Sequence, residues 1–344
     1  MIFRRFFAFL IAFIIALATP ALARTVTDSA GRSVEIPDHV TRVFAAGPPA
    51  SVLLYMLAPE KMTGWVRAPR ETDKPFLLPS VHDLPEHGRL TGRGDTLNLE
   101  RLMADKPDVI IDFGTVSETY RSLADRVQAQ TGIPYLLIDG RFNNTPAAIR
   151  LLADMIDVGE RGEQLASAAE TIFASVDRVL SSIPEENRPR VYLARGTDGL
   201  ESGSRGSINT EIIERVGAIN VVDGLREKGG IVNVSPEQII AWAPETIIAL
   251  EPAFAGSVGA NPIWQPVPAV SSGRIFPAPG NPFGFVDFPP SVNRLIGLTW
   301  LLHQLYPQEV SGDLRDEVRD FYRLFYQADL SDADLDNLLG VSRD

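Results

Sequence analysis

A helix-to-strand segment occurs twice in this 344-residue chain, once on each side of a long stretch without helix breakers. In the first copy Asn98-Leu99-Glu100-Arg101-Leu102 leads to Pro107, and in the second Ser235-Pro236-Glu237-Gln238-Ile239 leads to Pro244. The glutamate precedes the proline by seven residues in both copies. Each copy predicts a capped short helix, with the glutamate in its first turn, followed by a buried strand. The repetition predicts two similar lobes.

The stretch between the two copies predicts one long helix. It contains no glycine or proline from residue 163 to residue 182, and Pro184 and Pro189 follow it. Its apolar residues recur at helical spacing, namely Leu165, Ala168, Ala169, Ile172, Val176, Val179 and Leu180. Such a helix is about 30 Å long, about the width of a small domain. We therefore expect a linking helix over residues 158–184, between an N-terminal lobe (residues 24–157) and a C-terminal lobe (residues 185–344).

Both lobes have the pattern of parallel α/β units. Residues 25–36 predict a hairpin, residues 42–46, 62–65, 109–112 and 135–138 predict strands, and residues 98–104 and 117–130 predict helices. The second lobe begins with a strand over residues 190–194, which echoes residues 42–46, and has a helix over residues 210–216. Alternating strands and helices favour mostly parallel sheets, with a ligand cleft between the lobes. Residues 313–344 predict amphipathic helices packed on the second lobe.

The N-terminus has the anatomy of a secretory signal peptide. Arg4 and Arg5 precede an uncharged apolar run, and Ala21-Leu22-Ala23 supplies a cleavage site. Cleavage after residue 23 would lower the net charge from −12 to about −14, which argues against a nucleic-acid or anionic-membrane surface. The chain has no cysteine, which excludes disulfides, thiol catalysis and cysteine-based metal sites. We expect an exported, acidic protein of the Gram-negative periplasm, and an uncleaved anchor is the alternative.

In the order and spacing of these segments, the chain resembles the periplasmic binding proteins that feed ABC importers for ferric siderophores, haem and cobalamin. The resemblance spans nearly the whole mature chain, from Thr25 to the C-terminal helices. It implies a two-lobed monomeric receptor that binds a solute in the interlobe cleft, delivers it to an importer permease and performs no catalysis. Members of this family also deliver molybdate or tungstate, and one relative carries zinc or manganese.

The resemblance also assigns a docking role to the two repeated glutamates. In the cobalamin-binding relatives, one glutamate on each lobe meets arginines of the permease, and the matching positions here are Glu100 and Glu237. An exposed carboxylate at a helix N-terminus is ionised and suited to charge-assisted contact with arginine. The alternative is that each glutamate only complements its helix dipole.

Three segments are candidates for ligand contact, because ligands of open α/β sheets lie beyond the carboxyl ends of the strands. Residues 195–209 are rich in glycine, serine and arginine and precede a helix, which suits an anion, although a solvated loop is the alternative. Residues 281–288 carry three phenylalanines that could form an apolar wall, and core packing is expected for Phe288. Trp264 is either a cleft wall or a core residue. The predicted ligand contacts are Gly47, Pro48, Trp65 and Arg67 in the first lobe and Arg195, Gly196, Arg205, Ser207, Asn209, Phe283 and Phe285 in the second.

The chain offers little support for a bare metal ligand or for catalysis. Its four histidines, His39, His82, His87 and His303, are not spaced as a metal site, and His303 lies on an apolar helical stretch. Hydrolase, P-loop and zinc-protease motifs are absent from the sequence, so a periplasmic hydrolase is the remote alternative. We therefore expect no cofactor and a metal that arrives as a chelate or an oxyanion. A ferric siderophore is the first expectation, molybdate or tungstate the second, and haem or cobalamin the third.

Overall fold

The computed structural model describes residues 23–92, 97, 99–225 and 230–340. The predicted signal peptide therefore lies outside the described residues, apart from Ala23. In the ranges described, no helix combines the length and apolarity required to span a bilayer. The first element is an antiparallel hairpin of β1 (Ala23–Thr27) and β2 (Ser33–Pro37), as predicted. Its turn is held by Asp28, whose carboxylate accepts the backbone N–H groups of Ala30 and Arg32.

The described part of the N-terminal lobe contains a three-stranded parallel sheet in the order β3-β4-β5. The strands are β3 (Val43–Ala45), β4 (Val109–Gly114) and β5 (Tyr135–Asp139). The α-helices are α1 (Pro48–Leu57), α2 (Leu99–Asp105), α3 (Glu118–Thr131) and α4 (Thr145–Met155). Short 3-10 turns occur at Pro59–Lys61, Lys74–Phe76, Pro79–Val81 and Phe142–Asn144. The strands are almost wholly buried, as expected when helices cover both faces of a parallel sheet.

A 22-residue helix, α5 (Gly159–Leu180), connects the lobes and confirms the predicted long helix. At 1.5 Å per residue it is about 33 Å long. It packs closely on α4, because Gly162 brings the two backbones together: a Cβ at this position would lie 2.1 Å from the Cβ of Ala153. A 3-10 turn at Glu185–Asn187 follows it.

The described part of the C-terminal lobe contains a four-stranded parallel sheet, in the order β11-β10-β6-β8, and an antiparallel pair, β7 and β9. The strands are β6 (Arg190–Ala194), β7 (Glu201–Gly203), β8 (Ile219–Asn220), β9 (Ile231–Asn233), β10 (Thr246–Ala249) and β11 (Ile275–Pro277). The helices are α6 (Glu211–Arg215), α7 (Pro236–Trp242), α8 (Pro252–Ser257), α9 (Pro268–Ser271), α10 (Arg294–Leu305), α11 (Leu314–Phe321) and α12 (Asp332–Leu339), with a π-helical turn at Tyr322–Tyr326 and a 3-10 turn at Val258–Ala260.

The two sheets repeat one topology. Strands β3, β4 and β5 correspond to β6, β10 and β11 in chain order and in their neighbours. The position of β8 beside β6 is taken in the first lobe by a single parallel bridge between Val43 and Met62. The strand predicted at residues 62–65 is therefore wrong, since Trp65 turns away from this sheet and bridges to Glu86.

The hydrophobic core is continuous between the lobes. One cluster runs from the hairpin through α1, α4 and α5 to α10 and the C-terminal helices. Each sheet also has its own cluster on the other face, one around Ile110 and Tyr135 and one around Ile247 and Trp264. The C-terminal segment does not pack on the second lobe alone, because the hydroxyl of Tyr55 in α1 donates to the carbonyl of Tyr326. Direct packing therefore joins the lobes in addition to the linking helix.

Candidate functional site

The N-terminus of α1 lies at the carboxyl end of β3 and forms the first-lobe side of the candidate site. Gly47 is the extended N-cap residue, and Pro48 and Pro49 occupy the first helical positions, where proline is favoured. A side chain at position 47 would collide with Thr91, because a Cβ there would lie 2.4 Å from its Oγ1. Glycine at this position therefore lets the loop that carries Thr91 lie directly against the helix start.

A buried polar network supports this edge of the sheet. The Thr91 hydroxyl donates to the Asp112 carboxylate over 3.1 Å, and the Tyr135 hydroxyl donates to its other oxygen over 3.2 Å. Burial raises the pKa of Asp112 to about 6, and the two hydroxyl groups oppose this rise. The backbone N–H of Thr91 also donates to the Ala46 carbonyl, so the network fixes the loop beside Gly47.

The second-lobe side is centred on Arg195, which directly follows β6. Its guanidinium forms a buried ion pair with Asp287 and lies 4.2 Å above the ring of Phe288. Asn209 donates its amide to the same carboxylate over 3.1 Å. Burial raises the pKa of Asp287, and the positive charge of Arg195 opposes this rise. The Nε–H of Arg195 is buried and has no acceptor among the described residues.

Residues 287–294 join these two sides, and we call this contact region the interlobe junction. The Ser291 hydroxyl donates to the Pro49 carbonyl over 2.7 Å. The fully buried Arg294, at the start of α10, donates to the Ile208 carbonyl and stacks 4.6 Å from the ring of Phe142. Burial lowers the pKa of Arg294 to about 10, so this side chain is still charged at neutral pH.

The remaining polar candidates differ in their surroundings. Arg67 is exposed and makes no ion pair with any described residue. Arg205 pairs with Asp223 over 3.1 Å and donates to the Asn220 carbonyl, so its charge is already partly compensated. Ser207 is buried, and its hydroxyl lies 3.4 Å from the Asn209 side-chain oxygen. Gly196 has a φ of 78°, a left-handed conformation that glycine adopts without strain and that turns the chain after Arg195.

The structure reverses the expected positions of the aromatic residues. Trp65 is 3% exposed and its indole N–H donates to the Val81 carbonyl, whereas Phe285 is fully buried. Neither side chain presents a surface to a ligand, because both pack in the shared core. Phe288, for which core packing was expected, is instead 47% exposed below Arg195. Phe283 is half-buried against Trp65, with 6.2 Å between ring centroids.

Trp264 resolves to the core alternative, since it is 3% exposed and packs with Phe254 in the second-lobe cluster.

The histidines lie apart in local contacts. His303 pairs with Glu317 over 2.7 Å, and His87 stacks on Phe44 with its Nδ1 3.3 Å from a carboxylate oxygen of Asp105. In the parts of the chain with described coordinates, no group of three His, Asp or Glu side chains is arranged to hold a metal ion.

The two repeated glutamates are exposed in the first turns of their helices, Glu100 in α2 and Glu237 in α7. The predicted capping box of α7 is present: Ser235 accepts the backbone N–H of Gln238, and the Gln238 side chain accepts the N–H of Ser235. The Ser235 hydroxyl lowers the pKa of Glu237. The predicted cap of α2, Asn98, lies outside the described residues.

The sequence does not single out two residues of this region, Asp287 and Arg89. Asp287 carries the charge that orients Arg195, but nothing local in the sequence relates two positions that are 92 residues apart. Arg89 lies near the start of α1. A Cβ built on Gly92 would lie 3.9 Å from the Nη1 of Arg89 and 4.0 Å from the Cδ of Pro48, so both side chains are close to Gly92. The run Arg89-Leu90-Thr91-Gly92 combines arginine with glycine, as residues 195–209 do, and this combination is the signal in the sequence that could identify Arg89.

Comparison with known proteins adds the following matches. The family model described as periplasmic binding protein matches residues 55–282. An ABC transporter solute binding protein from Sulfurospirillum deleyianum has 30% sequence identity and a TM-score of 0.85, over 92% of this chain and 99% of that one. The molybdate-binding protein MolA of Haemophilus influenzae is 25% identical over 91% of this chain and 93% of its own length. A vitamin B12-binding protein of Pectobacterium carotovorum is 28% identical over 51% of this chain and 61% of its own length.

Proposed function

The chain belongs to the periplasmic binding protein family, a family of solute-binding receptors, and on this premise we propose that it delivers molybdate or tungstate to an ABC importer. The observation that carries the proposal is the buried guanidinium of Arg195, which has an Nε–H donor without an acceptor among the described residues. Unpartnered buried donors are rare in native proteins, and an oxyanion oxygen is a suitable acceptor for arginine.

The surroundings of Arg195 suit a small anion. Asp287 and Phe288 fix the orientation of the guanidinium, so little side-chain entropy is lost when it binds. The left-handed Gly196 turns the chain directly after Arg195, and the exposed Arg67 is a positive charge of the first lobe. Asp287 already balances the charge of Arg195, so the role of Arg195 is to donate its Nε–H to an oxyanion oxygen, and Arg67 is the arginine that can offset the charge of a tetrahedral dianion.

The size of the site also favours a small ligand. Ser291 bonds directly to Pro49, and Arg294 reaches the Gly140 carbonyl at 3.5 Å, so the lobes touch at the base of the interlobe junction. A siderophore, haem or cobalamin needs more separation between the lobes at this depth than an oxyanion does.

The share of the chain that each relative matches also favours molybdate or tungstate. The molybdate-binding relative matches along most of both chains, whereas the vitamin B12-binding relative matches about half of this one. A ferric siderophore, the first expectation from the sequence, is not named by these relatives and stays a prediction. Haem stays a prediction as well, and a hydrolase is the remote alternative.

In this role the receptor works in the periplasm after cleavage of the predicted signal peptide, and Glu100 and Glu237 present it to the permease. Their exposure at the first turns of matched helices supports this assignment.

A ligand screen on the purified mature chain tests the proposal. Molybdate and tungstate at 100 times their Kd are expected to stabilise the fold by about 2.7 kcal/mol in thermal unfolding, with little effect from sulfate or phosphate. The substitution Arg195→Lys keeps a charge beside Asp287 but removes the Nε–H, and we expect at least about tenfold weaker molybdate binding by calorimetry. The control Arg126→Lys changes an exposed arginine on α3 and is expected to bind normally. Stabilisation by ferric tris-catecholate, haemin or cyanocobalamin, with none by molybdate, would overturn the oxyanion assignment.

A further inference from the structure

Phe288 has an exposed aromatic side chain at the candidate site. Of the Phe, Tyr and Trp residues that the structure describes, it alone is exposed, at 47%. The three residues before it, Phe285, Val286 and Asp287, are buried, so the exposure is specific to Phe288. Its ring lies against the guanidinium of Arg195, with 4.2 Å between the ring centroid and the Cζ atom. This contact places the ring beside the group that carries the proposed function.

The backbone of Phe288 is in the left-handed region, with a φ of 64°, which is unfavourable for a bulky side chain. In the described ranges this region is shared by four other residues that are not glycine, namely Lys106, Asp157, Ala243 and Gln327. Each of those four follows the end of a helix, where a left-handed residue commonly stops the helix. Phe288 has no such role, because it lies between β11 and α10. Strained backbone of this kind is concentrated at ligand sites and active sites.

The turn from Gly284 to Pro289, which we call the Phe288 turn, holds this conformation in place. The Phe288 N–H donates to the Asp287 carboxylate over 2.8 Å, and the Phe288 carbonyl accepts the Gly284 N–H over 3.1 Å. The fully buried Asn293 donates its side-chain amide to the carbonyl groups of Gly284 and Pro289. The backbone of Phe288 is therefore fixed from both sides, and its ring stays exposed at the site.

The ring also borders the point at which Arg195 has an unused donor. The Nε–H of Arg195 is buried and has no acceptor among the described residues, while its Nη1 donates to the Asp287 carboxylate. Nε is bonded to the Cζ atom that lies above the ring, so an oxygen that accepts the Nε–H at about 2.9 Å lies beside the ring. An anion bound at this donor therefore has an apolar surface as its neighbour.

We propose that Phe288 is a specificity-determining residue of the oxyanion site and that its ring favours molybdate and tungstate over sulfate and phosphate. The proposal rests on the proposed function, because it concerns the same bound anion. The polar groups of the site give little of this discrimination. These anions are all tetrahedral, present oxygen acceptors and carry similar charge, so the Nε–H of Arg195 and the charge of Arg67 suit each of them.

Loss of hydration beside the ring provides the discrimination. An anion that binds there gives up water on the side that faces Phe288, and the ring offers no hydrogen bond in return. The free energy required is larger for a smaller anion, because its charge is more concentrated and its hydration is stronger. Sulfate and phosphate are smaller than molybdate and tungstate. The ring therefore weakens the binding of sulfate and phosphate more than that of the two larger anions.

The test measures the dissociation constants of molybdate and sulfate by calorimetry on the purified mature chain. In Phe288→Asn a polar side chain replaces the ring, and asparagine adopts the left-handed conformation more readily than phenylalanine does. We expect the ratio of the sulfate to the molybdate dissociation constant to fall at least about tenfold, mainly because sulfate binds more tightly. Phe288→Leu keeps an apolar side chain, and its ratio is expected to stay within about threefold of the wild-type ratio.

The matched control makes the same chemical change at another exposed apolar residue. Ile263 is 54% exposed and is outside the Phe288 turn, so Ile263→Asn is expected to keep the wild-type ratio. The Tm of Phe288→Asn is expected to be at or above that of the wild type, because the substitution relieves backbone strain. A second measurement needs no variant: selenate, which is intermediate in size between sulfate and molybdate, is expected to bind the wild type with intermediate affinity.

The outcomes separate this proposal from the proposed function. A wild-type chain that does not bind molybdate would overturn the proposed function and this proposal with it. Molybdate binding with sulfate bound equally well, or with an unchanged ratio in Phe288→Asn, would overturn the role of Phe288 alone. A ratio that falls equally in Phe288→Leu and Phe288→Asn would also overturn it, because the apolar surface would then not be the cause.

Discussion

The carboxyl group of Asp112 is a buried titratable group that supports the loop beside the start of α1. It is 7% exposed and is held by the hydroxyl groups of Thr91 and Tyr135, one on the loop beside Gly47 and one on β5. Burial raises its pKa from 3.8 to about 6. The folded protein therefore holds this proton over a pH range in which the unfolded chain has lost it.

This difference predicts how the free energy of unfolding depends on pH. The contribution of Asp112 is most favourable below about pH 4 and declines until about pH 6, because the folded state binds more protons in this interval. The total decline is about 3 kcal/mol. In Asp112→Asn this decline is absent, so its stability relative to wild type is expected to rise by about that amount between pH 4 and pH 7, measured by urea unfolding.

An exposed carboxylate provides the control for this series. Asp83→Asn changes an exposed residue of the same lobe, and its stability difference from wild type is expected to stay within about 0.5 kcal/mol at every pH. A pH-independent difference for Asp112→Asn would contradict a raised pKa at Asp112.

At the scale of elements, α7 shows how local chemistry sets which face of a helix is exposed. The capping box of Ser235 and Gln238 satisfies backbone N–H groups at its start, and the buried Ile239 fixes its rotation. These two features together set the positions of Glu237 and Ile240. Helix α2 has the same sequence spacing and the same buried residue, Leu102.

Removal of this cap gives an element-scale prediction. Ser235→Ala loses the acceptor for the Gln238 N–H and is expected to lower the free energy of unfolding by about 1 kcal/mol in urea denaturation. Ser235→Asp keeps an acceptor at the N-cap and is expected to stay within about 0.5 kcal/mol of wild type. Equal losses in the two variants would show that the side chain acts in some way other than capping.

At the scale of the whole molecule, the lobes are connected by more than the linking helix. The shared core cluster passes from α1 and α4 through α5 to α10. Tyr55, Ser291 and Arg294 add hydrogen bonds between the lobes, the last two at the interlobe junction. A wide hinge motion would expose this core and break these bonds, so its cost in free energy is high.

We therefore expect a small change in shape when ligand binds. A compact chain of this length has a radius of gyration of about 20 Å. Small-angle scattering of the purified mature protein is expected to show a change below about 1 Å on addition of saturating molybdate. A larger compaction would mean that the contacts between the lobes open in solution.

Much of the fold could be predicted because its signals are local. The hairpin turn at Asp28, the unbroken helix α5 and the capping box at Ser235 each depend on residues close together in the chain. Glu100 and Glu237 each precede a proline by seven residues, and this repeated spacing predicts the same order of elements in both lobes. The boundaries of the lobes and the ligand assignment remain predictions.

The candidate site could be predicted only in part, because its contacts join distant residues. The sequence by itself determined that Arg195 follows a buried strand, since that depends on hydrophobic pattern and turn residues. Only the tertiary structure decided that Asp287 orients it, that Phe288 is exposed while Phe285 is buried, and that Arg294 lies between the lobes. The physical reason is that helix and strand formation depend on near neighbours in sequence, whereas burial and ion pairing depend on which distant segments the fold brings together.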